Sequence, residues 1–301
     1  MEPDRDTMRM QIQRLQCSGE PRYSWRGFML DSGRQYHSIA FLKRYLDLLA
    51  ALGLNVFHWH LTENHGWRLE IKKHPRLTRI GSAVGPFPEQ HGFYTQEEVC
   101  ELVAYAHERN IMVVPEIEFP GHSLAALIAC PEYSCRQTAP ELINNISPHM
   151  FCVGRDETLA FMEDVLAEVC ELFPAPYIHI GGDETPKDVW QECPHCRARQ
   201  RQLGLRDMDE LQVAITNRLA AFLAERGRQA ACWDDVVSNP QWELGPNIVV
   251  QWYRSDREDR LRNALVKGHQ VVLSPDHCTY LNLPVVPWAW YGTDRTFDLQ
   301  Q

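Results

Sequence analysis

Long apolar runs are missing from this sequence. No stretch approaches the ~18–20 uninterrupted apolar residues that a spanning helix needs, so none is predicted. Positive charge is in short supply: 30 Lys+Arg stand against 40 Asp+Glu, a net charge of −10. A protein that holds nucleic acid usually presents a basic face, and this balance argues against one as the main partner. Low-complexity disorder is excluded by a hydrophobic fraction of 44% without any long polar bias. The first residues, MEPDRDTMRMQIQRLQ, are charged throughout and offer no apolar signal region. The expectation is a cytoplasmic protein or a leaderless piece of an exported one. Nucleotide fingerprints are absent too, since neither G-x-G-x-x-G nor G-x-x-x-x-G-K-[ST] occurs.

Cysteine is present, ten in 301 residues, but below the density of a disulfide scaffold. Cys100, Cys170 and Cys232 sit in apolar patterns that predict buried free thiols. Cys135 and Cys152 flank a loop rich in Pro and Asn, where a bridge is conceivable in an oxidising compartment. Cys193-Pro-His-Cys196 is a single C-x-x-C without a second pair at a fitting distance, so no metal is assigned to it.

One rhythm fills the chain: a short apolar run, a polar break, then a helical stretch. The strand-like runs are 26–31 (RGFMLD), 54–61 (LNVFHWHL), 111–118 (IMVVPEIE), 177–182 (YIHIGG), 229–236 (QAACWDDV), 247–253 (NIVVQWY) and 269–274 (HQVVLS). Near-continuous apolar runs of this kind suit parallel strands buried on both faces. Thr95-Gln-Glu-Glu98 and Ser255-Asp-Arg-Glu258 fit the capping box. Phe41, Tyr45, Leu48, Leu49 and Leu52 repeat at helical spacing, with Gly53 as the stop. Polar and aromatic residues cluster at the strand ends (Asp31, Glu63, Glu118, Asp183, Glu184, Asp234, Trp252, Asp276). Without a Gly-rich first turn, this favours an α/β (β/α)₈ TIM-type barrel over a doubly wound sheet. With no internal linker, residues 1–22 read as an N-terminal extension and 23–301 as one barrel domain.

The sharpest chemical feature is His179-Ile-Gly-Gly-Asp183-Glu184. Two carboxylates end a buried strand, and the glycines allow the backbone to aim both into the mouth. Taken alone, such a pair also fits a helix cap. A retaining glycosidase with a protein nucleophile needs carboxyls about 5–5.5 Å apart across the scissile bond, and sequence neighbours are poorly placed for that. Neighbours can still divide the work, one as acid and one orienting a substrate group. Pro115-Glu-Ile-Glu118-Phe-Pro-Gly-His122 carries a turn able to swing His122 over the mouth. His58-Trp-His60 puts two imidazoles on one strand face, which leaves open both inward packing and a metal-dependent hydrolase. Trp233, Trp252 and the Tyr280-Leu-Asn282 segment are aromatic and amide candidates for ligand contact, with core packing as the plain alternative.

Jointly these motifs resemble glycoside hydrolase family 20, the β-N-acetylhexosaminidases. The resemblance runs through RGFMLD, NVFHWHLTENHGWRLEIKKHP, IGS, VVPEIEFPGHSLAAL, YIHIGGDE, W-x-x-CPHC and TYLN, in order across residues 23–283. It implies hydrolysis of terminal β-linked N-acetylhexosamine on glycans or chito-oligosaccharides, through an oxazolinium intermediate and without a cofactor. Glu184 is then the general acid and base, Asp183 orients the acetamido group and Tyr280 donates to its oxygen. His122, linked to Glu63, tunes the acid, with Glu118 in support. Arg26 is matched to the arginine for sugar hydroxyls, Trp233 and Trp252 to the pocket walls, and Asn282 to a contact with the far hydroxyls. A catalytically impaired sugar-binding remnant is the alternative from another class.

Seven strand-like runs are identifiable, and the family's Gly-rich eighth strand is not recognised in the final stretch LPVVPWAWYGTDRTFDLQQ. The expectation is a truncated product, a partial chain, or a barrel completed by another chain. Open edges predict low stability or self-association.

Overall fold

In the computed structural model, residues 20–138 and 149–282 are described. Each of the seven strand-like runs contains a strand. Strands β1 (Gly27–Asp31), β2 (Val56–His60), β5 (Met112–Glu116), β6 (Tyr177–His179), β7 (Gln229–Trp233), β8 (Val249–Trp252) and β9 (Val271–Leu273) form one sheet in that order. Every pairing is parallel. A hairpin not expected from sequence, β3 (Thr62–Glu63) with β4 (Gly66–Trp67), rises directly from the end of β2.

The sheet is curled. His58 on β2 and Trp233 on β7 lie three strands apart, about 14 Å in a flat sheet, yet their ring centroids are 6.1 Å apart. Trp25, just before β1, meets Tyr177 at the start of β6 at 5.3 Å. The fold is a TIM-type barrel with seven strands among the described residues. β2 and β8 are buried along their whole length, and β5, β6 and β7 everywhere but the first residue. The two end strands are partly exposed, Leu273 of β9 by 55%. Each of them has one hydrogen-bonded neighbour among the described residues.

Helices α1 (Ile39–Ala51), α2 (Arg76–Arg79), α3 (Gln96–His107), α4 (Leu124–Ala129) and α5 (Asp156–Leu172) fall in the first half. Then come α6 (Asp188–Glu192), α7 (Pro194–Gln202), α8 (Met208–Ala224), α9 (Glu258–Val266) and α10 (Asp276–Thr279). The longer ones bury one stripe against the outer faces of the strands. On α1 that stripe is Leu42, Leu46 and Leu49, while Leu48 and Leu52 of the expected face are exposed. Ser38 caps its start, and Gly53 follows its end at φ +72°.

Thr95 and Glu98 form the expected capping box of α3. The second one does not form. Ser255 instead donates its hydroxyl to Asp276, and α9 starts after Arg257 without a side-chain cap. Period-two alternation sends Phe57 and Trp59 of β2 into the apolar core and His58 and His60 into the barrel, which gives it a polar interior.

All nine described cysteines are free, so Cys135 and Cys152 are not bridged. Cys170 and Cys232 are buried as expected, whereas Cys100 is exposed.

Candidate active site

Of the four residues that follow β6 and Ile180, three take a conformation that L side chains rarely adopt. Gly181 has φ +64°, Gly182 +101° and Glu184 +45°. A Cβ on Gly181 would stand 2.0 Å from Glu118 Oε2, so glycine is demanded there by space as well as by φ. The turn is held from outside by Gln212 on α8, whose amide donates to the Gly182 carbonyl at 2.6 Å and to Thr185 Oγ1 at 3.2 Å. Backbone strain at a non-glycine residue persists only where its surroundings enforce it. Here it aims Asp183 and Glu184 at one point.

That point is His122. Its Nε2 lies 3.3 Å from Asp183 Oδ2 and 3.6 Å from Glu184 Oε2. Its Nδ1 meets Glu63 Oε1, and the same Glu63 oxygen pairs with Arg34 at 2.7 Å. Arg34 also grips Asp31 at the end of β1. The loop carrying Arg34 is fixed by Arg68, fully buried, which donates to the carbonyls of Ser32 (2.8 Å), Gly33 (2.9 Å), Ser82 (2.7 Å) and Gly92 (3.0 Å). The barrel mouth therefore carries a relay of alternating charge, Arg34–Glu63–His122–Asp183/Glu184.

Electrostatics follow from that order. Burial disfavours a charged Glu63, but Arg34 and His122 outweigh it and hold its pKa well below the ordinary value. Burial likewise opposes an imidazolium at His122, and Asp183, Glu63 and Glu184 overcome it, holding that pKa well above the ordinary value. Burial pushes Asp183 up to about 6 despite the opposing pull of His122. Glu184, whose side chain is 56% exposed, is lowered mainly by its hydrogen bond with His122. Two neighbouring carboxyls are thus driven in opposite directions, a pattern that marks divided roles.

Beneath the mouth lies a second network. Glu116 is 2.9 Å from His58 Nε2 and 2.9 Å from His179 Nδ1, and accepts the Trp233 indole N–H at 2.6 Å. His60 Nε2 lies 3.4 Å from Glu118. Burial works against a charged His60, but Glu116 and Asp31 raise it to about 10. Burial and the nearby Asp183 raise Glu118 well above the ordinary range. His58, Glu116 and His179 have the mutual spacing of a metal-ligand set, as do His60, Glu116 and Glu118. Both sets are at most 4% exposed, with Glu116 already engaged by three partners, and neither has the open position that a catalytic metal keeps for its substrate. They brace the strand ends from inside.

The sequence profile of glycosyl hydrolase family 20, catalytic domain, matches residues 23–294. The chain belongs to this family. It is 41% identical over 270 residues to a beta-hexosaminidase of Porphyromonas gingivalis, covering 88% of this chain and 34% of that protein. It is 35% identical to a beta-hexosaminidase of Vibrio furnissii, covering 95% and 50%. Among solved structures, the beta-N-acetylhexosaminidase of Bacteroides fragilis superposes with a TM-score of 0.87 at 48% identity, covering 93% of this chain and 56% of that one. An exo beta-N-acetylglucosaminidase of Vibrio harveyi in complex with N-acetylglucosamine gives 0.79 at 36%, covering 88% and 43%. The chain spans about a third to a half of the length of the two curated relatives named.

Within this family 20 barrel, the residues singled out from sequence are distributed unevenly. Glu63, Glu118, His122, Asp183 and Glu184 converge. Tyr280 stacks on Tyr253 at 6.4 Å, and burial, with Asp183 as the next cause, raises its phenol pKa. Asn282, two residues on, is exposed.

Trp233 is 4% exposed and packs its ring against His58, His179 and Tyr253. Trp252 is 8% exposed and donates its indole N–H to the Arg257 carbonyl at 3.2 Å. Arg26 is not brought to the cluster. It precedes β1, at the end of the strand opposite Asp31, and its guanidinium binds the carbonyls of Gly53 (2.9 Å) and Tyr23 (2.7 Å).

The guanidinium at the mouth belongs to Arg34. Sequence held a signal for this, because Arg34 lies three residues past the strand-terminal Asp31 and Arg26 precedes the strand. Gln212, Tyr253 and Arg68 were also missed, and only their spatial neighbours mark them.

Proposed function

We propose that this family 20 barrel hydrolyses terminal β-linked N-acetylhexosamine from glycans or chito-oligosaccharides, with retention, using the substrate's own 2-acetamido group as nucleophile. The observation that carries the reading is the convergence of Asp183 and Glu184 on one nitrogen of His122. Carboxylates aimed at a common point do not straddle a bond, so the nucleophile comes from the substrate. The names of the relatives support the same activity.

In this mechanism Glu184 protonates the glycosidic oxygen while the acetamido oxygen attacks the anomeric carbon, giving an oxazolinium ion and the free aglycone. Asp183 accepts the acetamido N–H and offsets the developing positive charge. Tyr280 donates its O–H to the acetamido oxygen. Glu184 then takes a proton from the water that opens the oxazolinium, which restores its acid form. In the free site His122 holds Glu184 as a carboxylate. A sugar seated over its half-exposed side chain removes water and raises its pKa toward the working pH. Arg34 replaces Arg26 as the guanidinium available to sugar hydroxyls.

An aryl β-N-acetylglucosaminide tests the reading. Glu184→Gln is expected to lower kcat by ~10²–10⁴-fold, and a thiazoline analogue of the oxazoline to inhibit the parent chain tightly. Turnover that survives Glu184→Gln would sink the proposal. Binding of the thiazoline with no turnover by the parent chain would instead establish a sugar-binding remnant.

A further inference from the structure

Four cysteines meet at one place outside the mouth. Cys135 Sγ is 3.8 Å from Cys196 Sγ, Cys152 Sγ is 3.7 Å from Cys193 Sγ, and Cys152 Sγ is 3.9 Å from Cys196 Sγ. All four sulfurs lie within 4.8 Å of one another. These separations are far beyond the ~2.05 Å of a disulfide bond. They match the edge of a tetrahedron whose centre is ~2.3 Å from each corner, the zinc–thiolate distance. We propose that Cys135, Cys152, Cys193 and Cys196 form a closed tetrathiolate site for one zinc ion.

Three segments are built to bring the sulfurs together. An antiparallel bridge between Ser134 and Phe151 places Cys135 opposite Met150 and Cys152 opposite Tyr133, so the two cysteines lie diagonally across it, with Cys152 N–H donating to the Tyr133 carbonyl at 2.8 Å. Trp190 of α6 donates its indole N–H to the Phe151 carbonyl at 3.0 Å, which ties that ladder to the start of α7. Cys193 is the N-cap of α7, and Cys196 lies in its first turn. Gly154 makes the approach possible, since a Cβ there would stand 2.2 Å from the His195 carbonyl carbon and 2.3 Å from the Cys196 nitrogen.

Cys152, Cys193 and Cys196 are buried, so four protein ligands close the site to substrate, as in structural zinc centres. Binding releases four protons and leaves a local charge of −2 on the ZnS₄ unit. The N-terminus of α7 stabilises that charge, and Arg199 of the same helix reaches the loop after Cys152, its guanidinium 3.4 Å from the Gly154 carbonyl. The ion would pin this loop, and Phe151 N–H bonds the Pro120 carbonyl just before His122.

The test needs no turnover and so stands apart from the glycosidase reading. The full chain, produced with zinc and purified under reducing conditions without chelator, is expected to hold about one zinc per chain by elemental analysis. X-ray absorption is expected to show four sulfurs at ~2.3 Å. Cys152→Ser and Cys196→Ser should lose the zinc, while Cys278→Ser, an exposed thiol elsewhere, retains it. If the first two variants do not fold, an organomercurial added to the parent chain should release zinc in step with modification of these four thiols. A parent chain free of zinc, with its cysteines as thiols or disulfides, overturns the proposal, and so does iron in place of zinc.

Discussion

Gly181 lies against Glu118 where no side chain fits: a Cβ there would stand 2.0 Å from the buried Oε2 of Glu118. Backbone and carboxyl are therefore matched. Gly181→Ala must move Glu118 and also adopt φ +64°, at a cost of about 1–3 kcal/mol for the backbone alone. The expected outcome is a lower melting temperature with a larger loss of kcat, because Asp183 and Glu184 ride on the same turn. Unchanged melting and turnover would show that the turn tolerates a side chain.

His122 sets the pH dependence. Asp183 must be ionised to accept an N–H, and its pKa is raised to about 6 by burial, so kcat, which reports the substrate-bound site where Glu184 has regained its proton, is expected to fall as pH drops through about 6. His122, held as a cation, pulls that value down. Its neutral replacement in His122→Gln lets Asp183 rise further, so the acid limb moves to higher pH. A pH–rate profile in which the limb stays put or moves to lower pH contradicts the assignment.

Gln212 supports the same turn from α8. Gln212→Leu conserves approximate volume but leaves the buried Gly182 carbonyl without its donor, a cost of about 1–3 kcal/mol. Denaturant unfolding is expected to register that loss, and kcat to fall more than KM changes. A loss of stability with kcat intact would restrict Gln212 to a structural role.

Arg34 and Arg26 separate cleanly. Arg26→Ala removes contacts to Gly53 and Tyr23 at the far end of β1, so KM for the aryl substrate should not change. Arg34→Ala removes the guanidinium at the mouth, and charged hydrogen bonds are worth about 1.5–3 kcal/mol, which corresponds to a rise in KM of ~10-fold or more. Steady-state kinetics on the two variants decide between them, and the reverse pattern would return Arg26 to the site.

The outer strands carry the last prediction. β1 and β9 each have a hydrogen-bonded neighbour on one side only among the described residues. A parallel edge that stays open recruits further strands; with both outer sides free among the described residues, the chain is expected to associate with rising concentration. Sedimentation velocity checks this, and a single monomer species across the accessible concentration range rejects it.

Local chemistry was legible along the chain. The strand runs, the Thr95 capping box, the Asp183–Glu184 pair and the Pro-Gly turn before His122 all depend on residues within a few positions of each other. Their periodicity and backbone preferences are written in order. The family motifs then supplied roles for Glu184 and Asp183 that no periodicity could supply.

Two readings shifted once the chain was folded. Arg26 and Arg34 flank the same strand, and the structure places Arg34, past its C-terminal end, at the mouth beside Glu63 while Arg26 binds the carbonyls of Gly53 and Tyr23 at the other end. Ser255 fits a capping box in sequence, but in space its hydroxyl finds Asp276 instead.

An absence of long apolar runs and of surplus positive charge bounded the partners, and the order of apolar runs determined a parallel α/β barrel. Curling that sheet decided the rest. It carried Glu63 on an unforeseen hairpin to His122, 59 positions away, and placed Cys135 and Cys152 against the single C-x-x-C, 61 and 41 positions from Cys196 and Cys193. Contacts at that separation arise only when whole elements pack, because what brings these groups together is the burial of apolar faces elsewhere in the chain.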